Sequence, residues 1–199
     1  MSEPGPTDAL VPLPLQSPKL VRSGTAVLAK RGLSDLFLAE SAEESFQRAM
    51  KFYDARSYDE YFECLKRAVY LNSNHIHALV WLGFSYESGI GVALNLSQAE
   101  IWFRLAAEQG DDEAQVNLAW KYWGGEFGQR DYGQAVEWFH RAAEQGNLEA
   151  QYRLGEMYYK GEGVRQDLLE AKKWFHKLAD RGNSNAQVYL NRILEDEKS

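Results

Sequence analysis

The chain has 199 residues, 45% of them apolar and 26% charged, and a formal net charge of −7; this allows one substantial core and excludes a large multidomain enzyme. The acidic balance argues against nucleic-acid binding through phosphate contacts, and no apolar run approaches the ~20 residues needed to span a bilayer. The opening MSEPGPTDAL lacks the basic and apolar blocks of a secretory signal, and the single cysteine, Cys64, excludes an intramolecular disulfide framework, so a reducing cytoplasm is expected.

All five prolines lie before residue 19. Residues 1–18 are therefore expected to be an extended, mobile tail, with a proline-rich recognition ligand as the weaker reading. Residues 19–31, KLVRSGTAVLAKR, carry four basic residues and no acid. Within 19–40 a basic amphipathic helix is expected, packed on the end of the following domain in preference to a membrane or an acidic partner. The tail carries −2 and this segment +4, which leaves −9 on the remainder of the chain.

From Ser41 onward the apolar spacing is helical. Ser41 and Glu44 match the S-x-x-E capping box that satisfies free amides at a helix start. An interval of 36 residues then governs the chain. It relates Ala78, Ala114, Ala150 and Ala186, then Leu82, Leu118, Leu154 and Leu190, then Tyr86, Tyr122 and Tyr158. Ala99, Ala135 and Ala171 keep the same interval, as do Trp102, Trp138 and Trp174, Phe103, Phe139 and Phe175, and Gly110, Gly146 and Gly182.

Each unit decodes as a helical hairpin. In helix A the Ala, Leu and Tyr stand at i, i+4 and i+8 on one face, beside a small residue (Gly83, Ala119, Gly155) that permits close helix approach. Helix B carries an apolar stripe such as Ala99, Trp102, Phe103 and Ala106. Glycine-containing turns precede Asn95, Asp131 and Asp167, the predicted N-caps of the B helices. Gly110, Gly146 and Gly182 are predicted to end those helices.

The pattern A-x-x-x-L-G-x-x-Y-x-x-G-x-G-V, continued by D-x-x-x-A-x-x-W-F-x-x-A-A-E-Q-G, resembles the Sel-one-like repeat (SLR) family, relatives of tetratricopeptide repeats. The resemblance implies an all-α, right-handed superhelical solenoid of helix-turn-helix repeats, with units at 77–112, 113–148 and 149–184. A capping helix and tail follow at 185–199. Residues 41–76 resemble a plain tetratricopeptide hairpin, with Ala49, Tyr58, Ala68 and Leu71 at its characteristic positions. The second Sel-one-like unit departs from the pattern, because Phe127 stands where the other turns have glycine. A different local turn is expected there.

The resemblance also implies that the A helices line a concave wall. Carried over residue by residue, the wall positions hold Phe46, Met50 and Tyr53, then Val80, Phe84 and Glu87, then Val116, Trp120 and Trp123, then Tyr152, Glu156, Tyr159 and Lys160. These positions vary between units where the stacking positions recur, and large aromatics suit a partner-binding groove. The expectation is a non-enzymatic scaffold binding a peptide or helix of another protein, with Glu87 and Glu156 favouring basic partners. The competing reading is that Phe84, Trp120 and Tyr152 only pack between neighbouring A helices.

No cofactor or metal is called for. His75 and His77 lack further ligands at suitable spacing, and His140 and His176 occupy one equivalent, solvent-facing position of helix B. Cys64 is expected to be a small buried apolar residue. Cysteine-rich relatives of the family are linked to β-lactamase-like hydrolysis. This chain has neither their cysteine pairs nor an S-x-x-K arrangement, so a hydrolase is a remote alternative. A monomer is favoured, with an oligomeric structural or regulatory subunit using the basic N-terminal helix as the alternative.

Overall fold

A computed structural model of the chain describes residues 40–196. The expectations for the tail at 1–18 and for the basic segment up to residue 39 fall outside these residues. The described part contains nine α-helices and no strand: α1 (Ala42–Asp54), α2 (Tyr58–Leu71), α3 (Ile76–Ser88), α4 (Leu96–Glu108), α5 (Asp112–Gly124), α6 (Tyr132–Glu144), α7 (Leu148–Lys160), α8 (Leu168–Ala179) and α9 (Ser184–Asp196). Every helix packs on its predecessor and its successor in the chain. The result is an all-α solenoid of stacked hairpins, four complete and closed by α9.

Local chemistry sets the helix ends. Ser41 and Glu44 form the expected capping box at α1, with the Ser41 backbone N–H donating to Glu44 Oε2 at 2.7 Å and the Glu44 N–H donating to Ser41 Oγ at 3.2 Å. Asn95, Asp131 and Asp167 cap α4, α6 and α8, accepting from Gln98, Gln134 and Glu170 amides at 3.0, 2.9 and 3.0 Å. The A-to-B turns of the three Sel-one-like units close in the same way. The amides of Asn95, Asp131 and Asp167 donate to the carbonyls of Tyr86, Tyr122 and Tyr158, at 2.8, 2.9 and 2.9 Å.

The small residues in the A helices are filled by aromatics from their own B helices. A Cβ on Gly83 would lie 2.9 Å from the Phe103 ring, and one on Gly155 would lie 2.9 Å from Phe175. Phe103, Phe139 and Phe175 are all buried, as are Leu82, Leu118, Leu154 and Leu190. Consecutive units are tied by buried glutamines: Gln115 and Gln151 donate to the carbonyls of Ala107 and Ala143 at the end of the preceding B helix, at 3.2 and 3.0 Å. Burying such a carbonyl without a donor would cost about 1–3 kcal/mol.

In two units the A-to-B turn rests on the start of the preceding B helix. Gly163 has φ +73°, and a Cβ there would stand 2.4 Å from the Tyr132 carbonyl oxygen; Gly91, at φ +69°, stands in the same relation to Tyr58. The second Sel-one-like turn differs, as its sequence predicts. Phe127 replaces that glycine and its ring lies 5.3 Å from Tyr122 and 6.2 Å from Phe103. A side chain thus fills the inter-unit gap that backbone fills elsewhere.

In the first hairpin, Ala49, Ala68 and Cys64 are buried. Tyr58 and Leu71 lie at the two ends of α2 and are exposed.

Candidate functional site

The A helices α1, α3, α5 and α7 bring the candidate wall residues into one ladder of side chains. On α1, Phe46 is buried and stacks on His77 at 5.9 Å, Tyr53 meets Trp81 edge-on at 5.5 Å, and Met50 packs half-buried in the same cluster. On α3, Val80 is half-buried and Phe84 stands perpendicular to Phe103 at 5.0 Å. Glu87 accepts from Lys121 Nζ at 2.7 Å.

On α5, Val116 is buried while Trp120 and Trp123 are half-buried, their rings perpendicular at 5.3 Å. Trp120 also packs on Phe139 at 5.4 Å, donates its indole N–H to Glu149 at 2.9 Å, and carries the Arg153 guanidinium over its face at 4.6 Å. On α7, Tyr152 stands edge-on to Phe175 and Tyr189. Buried Glu156 accepts from Arg153 at 2.7 Å and from the Tyr189 hydroxyl at 2.6 Å. Tyr159 donates to Asp196 at 3.0 Å, and exposed Lys160 approaches Glu156 to 3.9 Å. Trp120, Trp123, Met157, Lys160 and Glu162 edge a hollow of about 30 Å³ between α5 and α7, room for roughly one water.

The electrostatics of this wall differ from the sequence expectation. Glu87 and Glu156 were expected to attract basic partners, yet both carboxylates are held by cations of the chain itself. Lys121, with its side chain only 8% exposed, bridges Glu87 and Glu126 at 2.7 Å each and lies over the rings of Phe84 and Phe103. Burial pushes the Glu87 carboxyl above the usual range, against the pull of Lys121. At the more open Glu126 the lysine outweighs burial, and that carboxyl lies below the usual range. The Tyr189 hydroxyl is pushed up by burial and by its bond to Glu156.

Among the described residues no three His, Cys, Asp or Glu side chains gather as a metal site, and no helix is long and apolar enough to cross a membrane. His75 is spent on the start of α3; His176 is exposed on α8, whereas His140, expected to face solvent, is half-buried with its ring edge-on to Trp174 of α8 at 5.8 Å.

The repeat model described as "Sel1 repeat" matches residues 76–111, 112–147 and 148–183, more than half of the chain. The chain belongs to the Sel1 repeat family. The matched units start one residue before the sequence-derived boundaries, where α3, α5 and α7 begin. A sel1-like repeat-containing protein of Acanthamoeba polyphaga mimivirus is 45% identical over 42 residues, which is 21% of this chain and 8% of the relative. The structure resembles that of a Sel1 repeat protein from Oxalobacter formigenes, with a TM-score of 0.65 at 28% identity over 81% of this chain and 48% of the other. It also resembles a protective antigen of uropathogenic Escherichia coli with an SLR fold, with a TM-score of 0.63 at 29% identity over 78% and 34%. The chain thus spans about half, or less, of the length of these relatives. Sel1 repeat proteins generally act in protein–protein interaction.

Four wall residues escaped the carried-over pattern: Trp81, Lys121, Arg153 and Tyr189. Trp81, Arg153 and Tyr189 immediately precede the repeated leucine, and Lys121 follows it by three. Their signal was present. At the 36-residue interval these two positions read Trp81, Asn117, Arg153, Tyr189 and Ser85, Lys121, Met157, Ile193, as variable as the wall positions implied by the resemblance.

Proposed function

We propose that this Sel1 repeat chain is a non-enzymatic cytoplasmic adaptor, a monomer that binds a peptide or helix of another protein along the wall of α1, α3, α5 and α7. The observation that carries this reading is the pair Trp120 and Trp123, half-buried beside the hollow at the α5–α7 junction. Large rings held rigidly by neighbours lose little entropy when a partner covers them. Because Glu87, Glu149 and Glu156 already accept from Lys121, Trp120 and Arg153, partner selection rests on aromatic area more than on acidic charge.

A photo-crosslinking amino acid at Trp123 tests the assignment, with the same probe at Leu169, 68% exposed on α8, as the comparison. Adducts with a protein partner at position 123 and none at 169 support the wall. Equal adducts at both positions, or adducts at 169 alone, refute it. A titration of that partner against Trp123→Ala should then show a loss of affinity of roughly tenfold or more, with the circular dichroism spectrum unchanged.

A further inference from the structure

Among the A helices of the Sel1 units and the closing helix α9, α3 begins unlike the others. Asp111, Asn147 and Asn183 supply a side-chain oxygen that accepts from the amides of Ala114, Ala150 and Ala186, at 2.8, 3.0 and 3.0 Å. At the start of α3 that place is taken by His75, whose Nδ1 accepts from the Ala78 amide at 3.2 Å. Its side chain is only 8% exposed, and the ring packs on Phe46 at 5.1 Å. The other nitrogen, Nε2, lies 3.1 Å from Glu43 Oε2 on α1.

The proton inventory of this ring is decided by its neighbours. A backbone N–H bonds only to a nitrogen bearing a lone pair, so Nδ1 is bare and the proton sits on Nε2, donating to Glu43. One neutral imidazole therefore ties α1 and the start of α3 together. We propose that His75 is a pH-operated joint between the first hairpin and the Sel1 stack: neutral, it holds both helices; protonated, it keeps Glu43 and releases the cap of α3.

The asymmetry is chemical. Protonation places a hydrogen on Nδ1, so two donors face one another at the Ala78 amide, and a cation stands at the positive end of the α3 dipole. The Nε2–H still donates to Glu43, now as an ion pair, but the Glu43 side chain is 62% exposed and that gain is small. Among the described residues, the titratable groups facing the ring are Glu43 on α1 and His77 on α3, the latter with its ring 6.2 Å away. The α2–α3 connection contributes the uncharged Asn72, whose carbonyl accepts the His75 amide at 3.1 Å. Glu43 remains ionised throughout, since hydrogen bonds from Gln47 and, more weakly, His75 hold its carboxyl below the usual range against the penalty of burial. Imidazoles as a class change charge between pH 5 and 8, and His77 is a second imidazole beside the joint, so the switch is read at the Ala78 amide, the group that bonds to His75 Nδ1.

Nitrogen-15 NMR of the full chain tests this. At pH 7.5 the imidazole should show the Nε2–H tautomer. On lowering the pH from 7.5 to 5, protection of the Ala78 amide, corrected for intrinsic exchange, should fall about fivefold, the equivalent of a lost cap. Ala150, capped by Asn147, should hold its protection over the same range. His75→Asn, which restores the cap used by the other units, should leave Ala78 protection flat with pH. An Nδ1–H tautomer at pH 7.5, or Ala78 protection that stays constant while His75 titrates, overturns the proposal.

Discussion

Replacing Gly163 by alanine isolates what one inter-unit contact contributes. The new Cβ would carry two penalties. Gly163 has φ +73°, and an L-residue in that region costs about 1–2 kcal/mol. The methyl would also stand 2.4 Å from the Tyr132 carbonyl oxygen and 2.5 Å from its carbon. Both are backbone atoms and cannot swing aside, so the α7–α8 turn must retreat from α6 at a cost of about 1–3 kcal/mol. Gly146→Ala supplies the control, with φ +98° and no atom within 4 Å of the added Cβ, so that only the first penalty applies. The expected difference between the two variants is about 1–3 kcal/mol, which for a chain of this size is roughly 2–12 °C in Tm. Urea denaturation followed by circular dichroism measures it. Amide exchange should place the loosening at α6, α7 and α8, because stability in a linear array is a sum of unit and neighbour terms. If Gly163→Ala and Gly146→Ala are equally destabilising, the turn does not bear on the preceding unit as described.

Lys121→Met should cost about 3 kcal/mol at pH 7 by leaving Glu87 buried beside Glu126 without its cation. The Glu87 carboxyl is already raised above its ordinary value of 4.5, so its contribution is present below that pH and lost as pH rises through the folded value. The deficit of the variant should therefore shrink toward pH 4, and a deficit that grows on acidification would contradict the assignment. Phe127→Gly gives the second Sel1 turn the residue used by the other two, yet should lower stability by about 2 kcal/mol, since the ring fills the space against Tyr122 and Phe103. A thermal midpoint that is unchanged or higher would show that the ring is dispensable.

Most of the architecture was legible because it rests on short-range chemistry repeated at a fixed interval. Asn95, Asp131 and Asp167 cap their helices through bonds two to three residues long, and the Ser41 and Glu44 box is equally local. Gly83 and Gly155 could be assigned to close helix approach because the bulky partner, Phe103 or Phe175, recurs at the same offset within its unit. The unusual turn at Phe127 was visible as a break in the interval, although where its ring would go was not.

The wall is another matter. Its side chains stand at positions where the interval conserves nothing, so the register that exposes the core is silent about them. Lys121 could have reached solvent, but it lies 2.7 Å from Glu87, 34 positions earlier in the chain. Glu156 looked like a free acid, but is held by Arg153 on its own helix and by Tyr189, 33 positions later. Those pairings depend on the spacing of neighbouring A helices and on which rotamers the packed rings leave open. The amino-acid sequence by itself determined the helices, their ends and their stacking, since each follows from contacts within a turn or one repeat. Only the tertiary structure decided which charges cancel and which rings stay half in water, because side chains on adjacent helices choose partners by distance and not by order along the chain.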